Sequence, residues 1–299
     1  MKTLPPIELQ AGLDSDVAPL VIDVRLADDF EAARICGAVN DCVYEVAFTK
    51  RLEETAPDRD RPVVLYGAGA GSHEAAMAAE KLERLGYSDV AMLDGGIAAW
   101  KAGGFPVEEG SPLPAPPDPP DGRRELDLAE CRLQWLGRNL LNKHLGTIDI
   151  TSGHLDFANG TLSGGEMGFD LRSIRCSDLD GDPLHDVLVG HLLDHDFLDA
   201  EAHPECRLVI PDAASLPNAA PGTPNLQIAA DLTMRGRTEP IEFMAAAGLT
   251  PEGRPAAQAG FAIDRTRWGI LYGSARFFHR LAGHLVNDLI EFDARLVTK

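Results

Sequence analysis

The spacing of apolar residues divides the chain near residue 110. Before this point, short apolar runs at 20–24, 62–66 and 90–93 alternate with stretches in which apolar residues recur at helical spacing. Short buried strands that alternate with helices are typical of a parallel sheet with helices on its faces. The first part of the chain is therefore predicted to be an α/β domain, with helices over 28–35, 74–86 and 96–103.

After residue 125 the apolar positions recur with a period of two. The alternating runs span 167–171, 206–210, 226–234, 259–263 and 290–296. This period is typical of antiparallel strands with one apolar and one polar face. Turn residues separate the runs at 158–160, 163–165 and 235–236. The pattern predicts an all-β domain, and by itself it leaves both a barrel and a sandwich open.

A proline-rich segment joins the two patterns. Seven prolines occur between residues 105 and 124, at positions 106, 112, 114, 116, 117, 119 and 120. Such a sequence is incompatible with helix or central strand and favours an extended spacer. A ligand for proline-reading domains is the alternative. The predicted organisation is a first domain over 1–109, a linker over 110–124 and a second domain over 125–299.

The chain is strongly acidic, with a formal net charge of −20 at pH 7. Nucleic acids and anionic membrane surfaces bind proteins mainly through clustered Lys and Arg, so neither is an expected partner. Five cysteines, an odd number without a CxxC spacing, indicate reduced thiols. No apolar stretch reaches the length of a signal peptide or membrane span, so a cytoplasmic protein is expected.

Three segments of the first domain carry family motifs: LVIDVR at 20–25, RICGAVN at 34–40 and LDGGIAAWKAGGFPV at 93–107. Together they resemble the rhodanese-like sulfurtransferases. The resemblance implies a nucleophilic cysteine in the loop after residue 66, in the family variant Y-C-x-G-P-x-C. In this alignment Gly67 takes the position of the nucleophile and Ser72 that of the second cysteine. The loop is Gly67, Ala68, Gly69, Ala70, Gly71 and Ser72.

A thiolate is needed to carry sulfur as a persulfide, and glycine has no side chain to supply it. No Lys or Arg lies between Gly67 and Lys81 to hold an anionic donor. We therefore expect no sulfurtransferase activity and a role in recognition. The alternative is an enzyme that uses Cys36 or Cys42 as its nucleophile. A phosphate-binding P-loop is disfavoured because the Lys-Ser/Thr ending is missing.

Five segments of the second half, in order, resemble the YceI-like family: 142–146, 160–174, 191–204, 232–243 and 263–274. The chain departs from the family pattern at Asp194, where the family usually has Ser, and at Leu198, where it usually has a second Phe. The resemblance implies a lipocalin-like antiparallel β-barrel that binds an isoprenoid or another long apolar chain. Candidate residues of the barrel lining or mouth are His144, Phe169, Phe197, Leu226, Ile228, Ala230, Leu232, Met234, Phe261 and Phe292.

Polar residues in the matched motifs allow two interpretations. Asn142, Lys143, His144, Asp264 and Arg265 either fix strand ends or hold a polar head group at the mouth, and the structural role is favoured. His185, His191, His195 and His203 lie among acidic residues, and His191 and His195 have the i, i+4 spacing of metal ligands. The HExxH glutamate is absent. No metal is therefore predicted.

The sequence as a whole predicts a carrier or sensor rather than an enzyme. The expected partner is an apolar small molecule, such as an isoprenoid, a quinone or a fatty-acid-like lipid, with no required cofactor. The rhodanese-like domain is expected to bind a protein, and the sequence is compatible with a homodimer. A ligand-free interaction scaffold with a barrel filled by side chains is a further alternative.

Overall fold

The computed structural model describes residues 2–113, 115–139, 141–279, 281 and 285–299. It divides into two compact units, Met1–Pro116 and Pro117–Lys299, each with its own hydrophobic core. Within the described residues, no helix is long and apolar enough to cross a membrane.

The first unit contains a five-stranded parallel sheet in the order β1-β6-β5-β2-β4. Its strands are β1 (Lys2–Leu4), β2 (Leu20–Asp23), β4 (Val39–Asn40), β5 (Val63–Tyr66) and β6 (Val90–Leu93), and β3 (Ala33–Ile35) pairs separately with β7 (Val107–Glu109). The helices are α1 (Pro6–Leu13), α2 (Ala27–Ala32), α3 (Phe48–Thr55), α4 (Glu74–Arg84) and α5 (Gly96–Ala102). This confirms the predicted parallel sheet flanked by helices.

The central strands β2 and β5 are buried on both faces. Ile22 and Leu65 pack into one hydrophobic cluster, and their neighbours Val21 and Val64 pack into another. Burial on both faces explains why these strands are continuous apolar runs rather than alternating ones.

The predicted helix over 28–35 was too long. Helix α2 ends at Ala32, and residues 33–35 form strand β3 instead. The guanidinium of Arg25 donates hydrogen bonds to the carbonyl oxygens of Asp29 and Ala33, which fixes the chain at this transition. Ala33 itself has extended backbone angles, so the helix cannot continue.

The second unit is a closed antiparallel barrel of eight strands. They are β9 (Arg132–Arg138), β10 (Lys143–Ala158), β11 (Thr161–Cys176), β12 (Glu205–Ser215), β13 (Leu226–Met234), β14 (Arg237–Leu249), β15 (Pro255–Asp264) and β16 (Leu289–Val297). Each strand pairs with the next in sequence, β16 pairs back onto β9, and β10 pairs with both β9 and β11. This closure confirms the barrel over the sandwich.

Strand β8 (Gly122–Glu125) adds to the side of β10, so the last residues of the proline-rich segment are part of the sheet. The described residues from 110 to 121 contain no helix or strand.

Two of the three predicted turns are confirmed. Asn159 and Gly160 both have positive φ in the β10–β11 hairpin, as do Arg235 and Gly236 between β13 and β14. The turn predicted at 163–165 is wrong, because these residues lie inside β11. A Cβ on Gly165 would come within 2.7 Å of the His154 carbonyl oxygen, so this glycine permits close packing of two strands rather than a turn.

One end of the barrel carries additional structure. Helix α6 (Leu184–Leu193) lies between β11 and β12, preceded by a 3-10 turn at Ser177–Leu179. A second 3-10 turn, Arg265–Trp268, begins the connection from β15 to β16. The strand ends at this side of the barrel and α6 surround the candidate site.

Candidate functional site

A cavity of about 190 Å³ lies inside the barrel. Its wall consists almost entirely of apolar side chains, most of them on inward-facing positions of the strands and the others from α6 and the connections at one end of the barrel. The aromatic members are Trp135, Phe169, Phe197, Phe261 and Phe292, and aliphatic members include Ile148, Leu171, Leu208, Leu232, Met234 and Ile263. The alternation of the strands places all of these residues except Phe197 inside, because successive side chains point to opposite faces, and Phe197 comes from the connection between α6 and β12.

The cavity has polar residues at one end, where β9 leads into β10. Arg138, Asn139, Asn142 and His144 line it there, and Arg138 and Asn142 are exposed to solvent. The cavity therefore combines an apolar interior with a polar mouth. This arrangement suits an amphiphile with its tail in the barrel and its head at the surface.

A smaller cavity of about 50 Å³ lies deeper in the same barrel. Apart from Gln258 its lining is also apolar, and it includes Ile150, Leu155, Met167, Ile228, Phe243, Ala257, Ala259, Ala294 and Leu296. Four residues line both cavities: Leu133, Phe169, Leu208 and Phe261. We call these four residues the partition ring.

The structure brings most of the predicted ligand residues together. His144, Phe169, Phe197, Leu232, Met234, Phe261 and Phe292 line the larger cavity. Ile228 lines only the smaller one. Leu226 and Ala230 are buried in the core of the barrel but line neither cavity. The assignment of all ten residues to a ligand site stays a prediction.

Sequence reasoning missed several lining residues. Leu133 and Trp135 alternate with polar neighbours on β9, and this short run could have revealed them. Ile270 and Val286 come from the connection between β15 and β16, where no periodic pattern exists. Residues from such a connection can be assigned to a site only once the chain path is known.

Arg265 is an almost fully buried charged residue at the cavity wall. Its guanidinium donates hydrogen bonds to four carbonyl oxygens, those of Ile270, Tyr272, Val286 and Asn287. Burial lowers the pKa of Arg265, while Asp288 and Asp264 oppose this shift. The residue therefore ties the connection between β15 and β16 to the barrel, in agreement with the structural role favoured from the sequence.

The histidines do not form the arrangement that their spacing suggested. Helix α6 ends at Leu193, so His195 lies beyond it and pairs with Asp194 at 2.6 Å. His191 packs its ring against Phe197 and Tyr272. Its Nε2 atom is 3.9 Å from Asp196 Oδ1, and neither atom has a hydrogen-bond partner among the described residues.

One different group of potential metal ligands occurs in the described part of the chain: His144, Cys176 and Asp178. His144 Nδ1 lies 2.9 Å from Asp178 Oδ2, and the Cys176 thiol and the Leu145 N–H both donate to Oδ1. Burial, together with Asp178, raises the pKa of the Cys176 thiol to about 11. In the structure these contacts form a hydrogen-bond network around Asp178.

In the first unit, the loop that carries Gly67 joins β5 to α4. The Glu74 carboxylate folds back over this loop, and its Oε1 accepts a hydrogen bond of 2.7 Å from the Ala68 N–H. A Cβ on Gly67 would come within 2.7 Å of the Glu74 Cγ and Oε1 atoms. The space in which a side chain at position 67 would lie is thus filled by Glu74.

Glu74 is buried, with 6% of its surface exposed. Burial alone would raise the pKa of its carboxyl, but the hydrogen bond from the Ala68 N–H, together with the polar backbone and Ser72 groups of the loop, brings it below its usual range. The loop therefore holds a carboxylate of its own chain.

A family model described as the YceI-like domain matches residues 125–298, more than half of the chain. The chain belongs to the YceI-like family. A model described as the rhodanese-like domain matches residues 6–103. The YceI-like domain thus corresponds to the barrel and its cavities, and the rhodanese-like domain corresponds to the parallel sheet with the Gly67 loop.

One curated relative is an HTH-type transcriptional regulator of Mycobacterium tuberculosis, 37% identical over 93 residues, which are 31% of this chain and 39% of that protein. The chain therefore spans well under half of that relative. Among solved structures, Burkholderia cenocepacia BcnA is 15% identical with a TM-score of 0.46, covering 58% of this chain and 99% of that one. A polyisoprenoid binding domain from Saccharophagus degradans is 14% identical with a TM-score of 0.44, covering 60% and 99%.

Proposed function

We propose that the YceI-like domain binds a long apolar ligand, such as an isoprenoid, a quinone or another lipid, and works as a carrier or sensor. The observation that carries this proposal is the larger cavity. Its wall is largely apolar, with residues such as Leu133 and Phe292, and its mouth is polar. An apolar chain gains about 25 cal/mol for each Å² that it removes from water. A tail that fills the barrel therefore binds without any specific polar contact.

The polar mouth adds selectivity for the head of the ligand. Arg138, Asn139 and Asn142 offer hydrogen-bond donors there, and His144 offers a ring nitrogen. A quinone carbonyl, a hydroxyl or a carboxylate can accept from these groups. We therefore propose an amphiphile with one tail rather than a pure hydrocarbon.

The test is to purify the full chain without detergent, extract it with organic solvent and analyse the extract by mass spectrometry. A lipid that copurifies at close to one molecule per chain supports the proposal. Added ubiquinone and long-chain isoprenoids are then titrated against the extracted protein. If no lipid is extracted and neither class binds, the barrel is a scaffold filled by its own side chains, and the proposal is wrong.

We further propose that the rhodanese-like domain is a recognition module without sulfurtransferase activity. Gly67 has no nucleophile, and the Glu74 carboxylate occupies the adjacent space and the Ala68 N–H. An anionic sulfur donor would meet a resident negative charge in the loop. These two features together support the loss of the reaction.

The competing function is sulfur transfer through another cysteine. Cys36 is exposed and Cys42 is buried, so Cys36 is the more accessible of the two thiols. The test is conversion of thiosulfate and cyanide to thiocyanate by the full chain. We expect no turnover above background. Turnover that is lost in Cys36→Ser or Cys42→Ser would establish the enzyme instead.

We expect the chain to work in the cytoplasm with its five cysteines reduced. The structure contains five free cysteines, of which four are buried. Their reactivity toward a thiol reagent in the native and the unfolded state tests this expectation. Native protein isolated from cells should react at Cys36 alone, and unfolded protein should react at all five positions.

A further inference from the structure

The two cavities of the barrel lie end to end along its axis. On β15, Ala257 and Ala259 line only the smaller cavity, Phe261 lines both, and Ile263 lines only the larger. The same order holds on β12, where Cys206 lines the larger cavity, Leu208 both and Ile210 the smaller. Because consecutive inward positions of a strand lie at successive depths, β15 and β12 pass from one cavity to the other at Phe261 and Leu208, two members of the partition ring.

Strands β11 and β16 agree with this order. On β11, Leu171 lines the larger cavity, Phe169 both and Met167 the smaller. On β16, Phe292 lines the larger cavity and Ala294 the smaller. The partition ring, contributed by four of the eight strands, therefore lies between the two spaces.

An aromatic stack holds the partition in position. The Phe261 ring lies 4.5 Å from the Phe243 ring and 5.5 Å from the Phe292 ring, measured between centroids, with interplanar angles of 17° and 25°. Phe243 lines only the smaller cavity and Phe292 only the larger. Phe261 is thus supported from both sides, and stacked rings of this kind resist displacement.

We propose that the partition ring is the floor of the ligand site and sets the length of the chain that the barrel retains. The tail enters past His144, fills the larger cavity and stops at Phe169 and Phe261. This inference rests on the proposed binding function, which it deepens by naming the residues that select ligand length. The ligand class is a single-tailed amphiphile whose tail ends at this depth.

The smaller cavity then lies beyond this floor, and a substitution in the partition ring can make it accessible to the ligand tail. Ala257 precedes Phe261 by four positions on β15, which at about 3.3 Å per residue and a strand tilt of about 40° corresponds to about 10 Å along the barrel axis. Its small side chains, Ala257, Ala259 and Ala294, leave room for the end of a longer tail. Removing one aromatic ring from the partition should join the two spaces.

The experiment measures the affinity of the delipidated full chain for a homologous series of saturated fatty acids. For the wild type, Kd is expected to fall about fourfold with each added methylene, from about 0.8 kcal/mol per buried CH2, until the tail reaches the floor. Beyond that length the affinity should stop rising. In Phe261→Ala this break should move to tails that are longer by several carbons.

Leu232→Ala is the control, because Leu232 lines the larger cavity alone and lies outside the aromatic stack that supports Phe261. It should weaken binding of every tail without moving the break. Ala294→Phe, combined with Phe261→Ala, should refill the smaller cavity and return the break to the wild-type length. Phe261→Leu provides a milder opening of the floor in case Phe261→Ala unfolds, which thermal melting reports.

Two negative outcomes are distinguishable. If the wild type binds the series but Phe261→Ala and Phe261→Leu keep its break, the partition ring does not set length, and the binding function stands. If the folded wild type binds no member of the series, and no quinone or isoprenoid, the proposed function itself is wrong. The inference about ligand length is then wrong as well.

Discussion

Glu74 lies where the side chain of residue 67 would begin: the Glu74 Oε1 atom is 2.7 Å from the ideal Cβ position on Gly67. Restoring a cysteine by Gly67→Cys should therefore create a steric conflict, with a loss of about 1 to 3 kcal/mol of stability. It should not produce thiocyanate from thiosulfate and cyanide. Chemical denaturation and the sulfur transfer assay measure both effects.

The double variant Gly67→Cys/Glu74→Ala tests the cause of that loss. Adding the cysteine should lower the free energy of unfolding less in the Glu74→Ala background than in the wild type, because the clashing side chain is absent. Gly248→Cys is the control, since nothing lies within 4 Å of the Cβ position there. A Gly67→Cys variant as stable as Gly248→Cys would contradict the arrangement of the loop.

Ala230→Trp should reduce ligand retention while leaving the barrel strands paired. Along β13, Ala230 lies between Leu232, which lines the larger cavity, and Ile228, which lines the smaller. A Trp ring at this depth must enter the lumen, where it competes with the ligand tail. Mass spectrometry of extracted lipid and circular dichroism measure the two effects. Ala229→Trp, on the outer face of the same strand, should retain lipid as the wild type does.

Arg265→Lys should destabilise the barrel by about 3 kcal/mol, because an ammonium cannot reach the four carbonyl oxygens that the guanidinium holds and buried acceptors are left unpaired. Arg276→Lys is the control. Arg276 is exposed and pairs with Asp264 and Asp288, so its replacement should cost less than about 1 kcal/mol. Equal stability of the two variants, measured by denaturation, would show that the Arg265 network is dispensable.

Asp178 should make the barrel sensitive to acid. Burial opposes its ionisation, but donors from Leu145, His144 and Cys176 bring the pKa of its carboxyl to about 2. A carboxyl with a lowered folded pKa stabilises the fold above its unfolded pKa, near 3.9, and this contribution is lost as the pH falls to about 2. Since the side chain is 27% exposed, about 1 kcal/mol is expected.

The measurement is the free energy of unfolding of wild type and Asp178→Asn between pH 6 and pH 2. The difference between them should shrink as the pH falls through this window. Asp180→Asn replaces a nearby exposed carboxyl and should follow the wild-type curve. A wild type that loses no more stability in acid than Asp178→Asn would contradict the role of this network.

Purified protein should contain no stoichiometric zinc or iron. His191 packs against aromatic rings and His195 is bonded to Asp194, while the Cys176 thiol donates to Asp178 in a separate group with His144. Elemental analysis of protein purified without chelator is the measurement. Metal that disappears in His191→Ala/His195→Ala, or in Cys176→Ala, would identify the site and overturn this expectation.

The sequence predicts most strongly where periodicity is long. The alternation over 226–234 coincides with β13, and the run over 290–296 lies within β16. Prediction from the sequence fails where one residue type has different structural roles. Gly164 and Gly165 suggested a turn, yet they permit close packing within β11, since only the neighbouring strands decide which role a glycine has.

The candidate site could likewise be predicted only in part. Inward positions such as Phe169 and Phe261 could be identified from alternation and family resemblance. Their depth could not, because a period of two gives the face of a strand but not its stagger against the neighbours. The overlap of Glu74 with the space beside Gly67 was also beyond the sequence, since it depends on how α4 leaves the loop.

The pairing of β16 with both β15 and β9 has a consequence for biosynthesis. During translation the strands from β9 to β15 emerge first, and they form an open sheet with two unpaired edges until β16 has left the ribosome. Unpaired edges and an uncovered apolar face invite association with other nascent chains. The rhodanese-like domain, complete long before this point, can already be folded. Chaperones that shield nascent apolar surface should therefore act mainly while the second domain is being synthesised.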